Sequence, residues 1–195
     1  MLVKKRTVLT ALLVAIIVSA IFIVNASTNH PPLNTIDYVD SDKFTGEWYV
    51  ISNIPYFGER NKVASKTTYM KIGDHQYQDI FEYKDGNFDN KFESIVGKTI
   101  CLNEEHTKWQ STFYSVIKFK FEILDVDEDY QVMVIGHRSR NYGWVMARNS
   151  RISDLEYQQA LQTFSANGYD IEKFAKVPQH PADLGQPGFQ LIANN

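Results

Sequence analysis

The chain has almost no cysteine: Cys101 is the only one in 195 residues, so no internal disulfide can form. Such a protein is held by its core, which a single domain of this size can supply. The short motifs of catalysis are missing as well. There is no G-x-S-x-G turn to present a serine nucleophile, no H-E-x-x-H and no C-x-x-C. Cys101 and His106 lie five positions apart, but a metal site needs three or four ligands and no others cluster with them in the sequence. Positive charge is scarce: 20 Lys plus Arg face 23 Asp plus Glu, a formal net charge of −3. This balance argues against nucleic acid and anionic membrane surfaces as partners. No cysteine follows the apolar amino-terminal stretch, where Ala26, Ser27 and Thr28 stand, so lipid attachment there is not expected. No internal repeat is present.

What the chain does contain begins at its amino terminus. Lys4, Lys5 and Arg6 precede an uncharged, mostly apolar run from Thr7 to Val24, followed by Val24-Asn25-Ala26. A basic start, an apolar middle and a small-x-small end describe a secretory signal. The run is also close to the roughly 20 residues that span a bilayer, so an uncleaved anchor is the alternative. The small residues favour cleavage after Ala26, and either reading places the remainder outside the cytoplasm. Losing the three basic residues of this segment takes the net charge from −3 to −6. Residues 1–26 are thus read as signal peptide or membrane anchor, 27–42 as a linker, 43–180 as the folded domain and 181–195 as an irregular tail.

Within the domain the dominant period is two. From Val116 to Val126, Ile117, Phe119, Phe121 and Ile123 alternate with Lys118, Lys120 and Glu122, which gives a strand with one apolar face. Similar runs recur at 44–54, 63–72, 76–83, 91–100, 108–115, 130–137 and 142–148, several of them separated by turn residues such as Gly73-Asp74 and Asp85-Gly86-Asn87. Eight short strands with hairpin-length connections predict an all-β up-and-down barrel or a sandwich. Ser153 and Glu156 then form a capping pair, and Tyr157, Ala160, Leu161 and Phe164 follow at helical spacing, with Gly168 as the stop. The run Ile171–Val177 is expected to return to the barrel wall.

Three groups of residues carry a family resemblance. Gly46-Glu47-Trp48-Tyr49 opens the first strand, with Phe57-Gly58-Glu59-Arg60 behind it. Asp129-Tyr130 leads toward Gly143-Trp144-Val145-Met146-Ala147-Arg148. Arg151-Ile152-Ser153 enters the helix, and Gly168-Tyr169-Asp170 with Val177-Pro178-Gln179 closes it. In this order and spacing the set resembles the lipocalins, in the bacterial branch similar to apolipoprotein D; between about Gln76 and Ser115 only the strand pattern matches. The resemblance implies an eight-stranded antiparallel up-and-down barrel, closed at one end, with one carboxy-terminal α-helix packed outside. It also implies that Trp48 crosses the closed end with Arg148 on its ring, and Gly46 would let backbone approach beside them.

The resemblance further implies an open upper barrel that binds, stores or moves an apolar small molecule, such as a fatty acid or lysophospholipid, in the periplasm or cell envelope, without a cofactor and without catalysis. Alternation puts Tyr77, Phe81, Tyr83, Trp109, Phe113, Phe119, Phe121 and Ile123 inside, as ligand-contacting candidates or as plain core. Asp79 shares the parity of Phe81, which makes it either a polar group of the pocket or a sign of shifted register. As the one titratable candidate there, it carries the alternative of a lipocalin-fold isomerase or dehydratase; a third reading is a solid, membrane-tethered barrel. Arg60, Lys62 and Lys84 are candidate headgroup contacts at the mouth. His137, Arg138 and Arg140 are expected to form a solvated basic turn at the open end.

Overall fold

The period-two alternation between Gly46 and Ala147 folds into eight antiparallel strands in this computed structural model, which describes residues 30–192. They are β1 (Gly46–Asn53), β2 (Lys62–Gly73), β3 (Gln76–Asp85), β4 (Glu93–Cys101), β5 (Lys108–Phe113), β6 (Ile117–Val126), β7 (Val132–Gly136) and β8 (Gly143–Ala147). Each pairs with its neighbour, and β1 pairs with both β2 and β8, so the sheet closes into a barrel. Closure leaves no edge among these eight strands for another chain to pair with. A bulge between Val50 and Ser52 turns β1 away from β2, and its end takes β9 (Ala175–Lys176) as a new partner. The expected return of the chain after the helix is this strand.

Helix α2 (Asp154–Ala166) lies outside the barrel, after the short α1 (Ser41–Phe44). It starts at Ser153 and Glu156, which form the reciprocal capping box. Its apolar stripe of Tyr157, Ala160 and Phe164 packs against Leu124, Val134 and Val145, the outward-facing apolar residues of β6 to β8. Inside the barrel a separate core gathers Trp48, Tyr77, Trp109, Ile123 and Met133. Among the described residues no helix is long and apolar enough to cross a membrane. The proposed signal or anchor, residues 1–26, lies outside the described residues.

The reading of residues 27–42 as a linker needs correction over its described part. Leu33 packs beneath α2, Val39 is fully buried, and its N–H donates to Glu105 O at 2.9 Å. Leu33, Ile36 and Val39 recur every third residue, and all three are drawn into the two cores. Pro31 and Pro32 prevent regular hydrogen bonding without freeing the segment. Asp40 then caps α1, which crosses the closed end of the barrel. The described part of the tail holds one 3-10 turn (Pro181–Asp183) and is pinned: Gln190 Nε2 donates to Asn53 Oδ1 at 2.6 Å, and Arg151 pairs with Asp183 at 2.9 Å.

Candidate functional site

Antiparallel hairpins divide the barrel into two ends. The β2–β3, β4–β5 and β6–β7 turns gather at one end with α1, and the β1–β2, β3–β4, β5–β6 and β7–β8 loops gather at the other. The first end is closed. Trp48 is fully buried and donates through Nε1 to Phe44 O at 2.8 Å. The Arg148 guanidinium lies 3.7 Å above the Trp48 ring and donates to Glu47 O, Lys43 O and Thr45 O at 2.5–2.8 Å. Gly46 has φ +100°, and a Cβ there would stand 3.2 Å from Arg148 Nη1. Phe44 stacks on Trp109 with centroids 4.5 Å apart, which completes the plug.

The other half holds a cavity of about 100 Å³. Its walls are aromatic: Phe81, Phe113, Phe119, Phe121 and Trp144. Gly97 makes room for one of them, since a Cβ there would fall 2.6 Å from the Phe113 ring. Its floor is polar. Asp79 accepts hydrogen bonds from Thr67 Oγ1 and Ser111 Oγ at 2.8 Å and from Thr99 Oγ1 at 3.0 Å. Burial pushes its carboxyl above the usual range, against the three hydroxyls, which favour the charged form. The register in β3 is therefore the one in which Asp79 faces inward.

A second carboxyl closes the mouth. Glu59 comes from the β1–β2 loop, and Trp144 Nε1 donates to both of its oxygens, at 2.9 and 3.1 Å. Asn53 Nδ2 also donates to it, and the Tyr56 hydroxyl is 3.4 Å away. Glu59 as a residue is half-buried, but its carboxyl is enclosed, and burial outweighs these donors and pushes its pKa up to about 7. On the same wall, His137 stacks on Phe119 with centroids 4.9 Å apart, and burial pushes its pKa down to about 4. Alternation could not have revealed Glu59, which lies in a loop. Its one signal was its place in the Phe57–Arg60 segment.

The eight candidate contacts separate by height in the barrel. Phe81, Phe113, Phe119 and Phe121 line the cavity. Tyr77, Trp109 and Ile123 do not, a correction to their expected role: all three are at most 1% exposed in the closed-end core, with Tyr77 and Trp109 packed against Phe44. Tyr83 is also corrected. It is turned to the rim, where its hydroxyl donates to Glu93 and the Lys62 ammonium lies 3.4 Å from its ring centroid. Thr67, Ser111, Ile135, Trp144 and Met146 line the cavity and were not anticipated.

The basic residues read as loop charges also have assignments. Lys62 is held over Tyr83, Lys84 Nζ donates to Phe88 O at 2.5 Å, and Arg60 is exposed. The picture of a solvated 137–140 turn is wrong for Arg140, which is buried and donates to Asn167 O and Pro31 O at 3.0 and 2.8 Å. It ties the entering chain and the end of α2 to the β7–β8 loop. Cys101 and His106 do acquire a third neighbour, because the β2–β3 turn brings His75 to them. A wider groove of about 480 Å³ lies outside the barrel between the tail and the start of α2. Its charges are paired, Arg151 with Asp183 and Lys176 with Asp154, so it serves to dock the tail.

Comparison with known proteins agrees with this geometry. A family model described as a lipocalin-like domain matches residues 39–179. Temperature-induced lipocalin-1 of Arabidopsis thaliana is 26% identical over 160 residues, 78% of this chain and 86% of the relative. Outer membrane lipoprotein Blc of Escherichia coli (strain K12) is 25% identical over 171 residues, 86% of this chain and 96% of the relative. Among solved structures, insecticyanin from the tobacco hornworm Manduca sexta superposes with a TM-score of 0.65 at 15% identity, over 84% of this chain and 90% of that one.

Proposed function

Because the chain belongs to the lipocalin family, we propose that its barrel binds and carries a small apolar molecule, most simply a single-chain lipid such as a fatty acid or lysophospholipid. The observation that carries this reading is the aromatic cavity that opens at one end only, above a closed-end core. At about 100 Å³ the cavity equals the volume of only about three waters, so as it stands it admits just the end of a chain. Longer chains enter when the Tyr56–Glu59 loop gives way, and each methylene then buried contributes about 0.8 kcal/mol. Among the described residues no Lys, Arg or His lines the cavity, while Asp79 and Glu59 do. An anionic headgroup therefore stays outside, and the chain enters first.

The rim supports a lipid source. Phe57 is 91% exposed, Val116 77% and Tyr114 68%, all on loops of the open end. Apolar side chains left in water around a mouth suit contact with a bilayer. An exported protein of the cell envelope fits this picture, as do the relatives named outer membrane lipoproteins. The test is mass spectrometry of lipids extracted from natively purified protein. A stoichiometric single-chain lipid is expected. An empty protein whose tryptophan fluorescence also ignores fatty acid and lysophospholipid would overturn the reading.

One observation favours a second reading, an isomerase or dehydratase on an apolar substrate: Asp79 and Glu59 face the same cavity, both with raised pKa. A buried carboxyl whose pKa is raised holds its proton more readily, as a general acid or base requires. Substrate turnover that disappears in Asp79→Asn while affinity stays would establish this reading. Ligand affinity without turnover in the unaltered protein supports the carrier instead.

A further inference from the structure

We infer that the closed end carries a site for a divalent d-block cation of the zinc type, formed by His75, Cys101 and His106. The three come from separate places in the chain: His75 from the β2–β3 turn, Cys101 from the end of β4, and His106 from the β4–β5 turn. Their ligand atoms all lie within 4.8 Å of one another. The edges of a tetrahedral site with Zn–S of about 2.3 Å and Zn–N of about 2.0–2.1 Å are about 3.3–3.6 Å. Side-chain rotations of about an ångström close that gap.

The backbone beneath is already fixed. Cys101 N–H donates to His75 O at 2.9 Å, which joins the two hairpins at the site. Asn103 orders the β4–β5 turn: its Oδ1 accepts from Thr107 N at 3.1 Å and Lys108 N at 2.9 Å, and its Nδ2 donates to Glu105 and to Thr107. Both His75 and His106 adopt left-handed backbone, with φ 54° and 55°, which aims them from tight turns. His106 Nδ1 lies 3.2 Å from Val39 O. With the proton held there, Nε2 presents its lone pair, the arrangement that orients metal-bound histidine. The imidazoles meet edge to face, with centroids 5.0 Å apart.

The donor chemistry selects the ion. One thiolate and two neutral imidazoles suit zinc and its neighbours, whereas calcium and magnesium take oxygen. Three protein ligands leave a fourth position for water. The Cys101 thiol now donates to Asn103 O at 3.1 Å. Cation binding displaces that proton to solvent, so affinity falls with acidification. The Asp74 carboxylate, 3.7 Å from His75 Nε2, and the neighbouring Glu104 and Glu105 add negative charge around the ion. The site is at the opposite end of the barrel from the cavity. It would clasp two hairpins and the Val39 segment over the plug, independent of what the cavity binds.

Cobalt(II) is the probe. It should be titrated into the untagged, reduced, chelator-treated full-length protein. One equivalent is expected to give a thiolate-to-cobalt charge-transfer band together with intense visible bands of tetrahedral cobalt, both displaced by zinc. Cys101→Ser should abolish the charge-transfer band, and His75→Gln and His106→Gln should each weaken binding at least tenfold. Zinc at a hundredfold excess over its Kd should raise the Tm by about 5–10 °C. In the unaltered protein zinc should also slow alkylation of Cys101, a readout that needs no variant. Absence of the charge-transfer band, or unchanged cobalt affinity in properly folded histidine variants, would overturn the assignment.

Discussion

The two ends of the barrel use the same kinds of residue for opposite purposes. At the closed end Trp48, Phe44, Tyr77 and Trp109 fill space completely, and one cation, Arg148, satisfies carbonyls that the plug would otherwise leave without donors. At the open end Phe81, Phe113, Phe119 and Trp144 stand around a space, and two carboxyls occupy positions a core would give to methyl groups. Aromatic content alone therefore says nothing about which half binds. The difference lies in what the polar groups do. Arg148 completes a packed structure, whereas Glu59 is held at the mouth by a loop.

The largest effect expected from breaking this contrast is at the plug. Trp48→Ala should cost about 3–5 kcal/mol of stability, read from denaturant unfolding, because it empties a fully buried site and strands Arg148. Arg148→Lys should cost about 2 kcal/mol, since an ammonium can neither stack as a plane nor reach three carbonyls. Equal losses from Trp144→Ala would contradict the division of the barrel into a packed and an open half. The open end should tolerate that change with less than half the cost.

Titration at the mouth gives a smaller, pH-dependent effect. The folded pKa of Glu59, about 7, exceeds its ordinary 4.5, so its contribution to stability is complete below about pH 4.5 and is lost as pH rises through 7. Glu59→Gln should therefore gain Tm relative to the unaltered protein as pH rises across that window. His137 runs the other way. Its folded pKa of about 4 is below its ordinary 6.5, so its contribution is present above 6.5 and is lost as pH falls through 4. His137→Gln should gain relative stability on acidification. If both variants track the unaltered protein at every pH, the two groups are not enclosed as described.

How far the sequence reveals this contrast follows from what alternation encodes. Period two gives the face of a strand, and it placed Phe119, Phe121 and even Asp79 inside. It does not give height along the barrel axis, which depends on strand stagger. Tyr77, Trp109 and Ile123 thus look like pocket residues until the pairing places them beside Phe44 and Trp48. The helix was legible because Ser153 and Glu156 cap it locally. Glu59 and His75 were not, because loops take their conformation from tertiary contacts such as the Trp144 indole. The segment before β1 misled because prolines mark irregularity, and irregularity is compatible with burial.

The smallest expected effect belongs to the rim. Phe57→Ser should change stability by less than about 0.5 kcal/mol, because the side chain is 91% exposed, yet slow lipid pickup from vesicles severalfold in a transfer assay. Unchanged transfer would remove the rim from the proposed route.

The division of labour between the ends is tested most directly with a single-chain lipid brominated along its acyl chain, which quenches tryptophan on contact. The protein has three tryptophans, Trp48 and Trp109 in the plug and Trp144 on the cavity wall. Saturable quenching of part of the emission is expected in the unaltered protein, and almost none in Trp144→Phe. Quenching that survives in Trp144→Phe, or no quenching in either protein, would contradict a ligand site in the open half of the barrel.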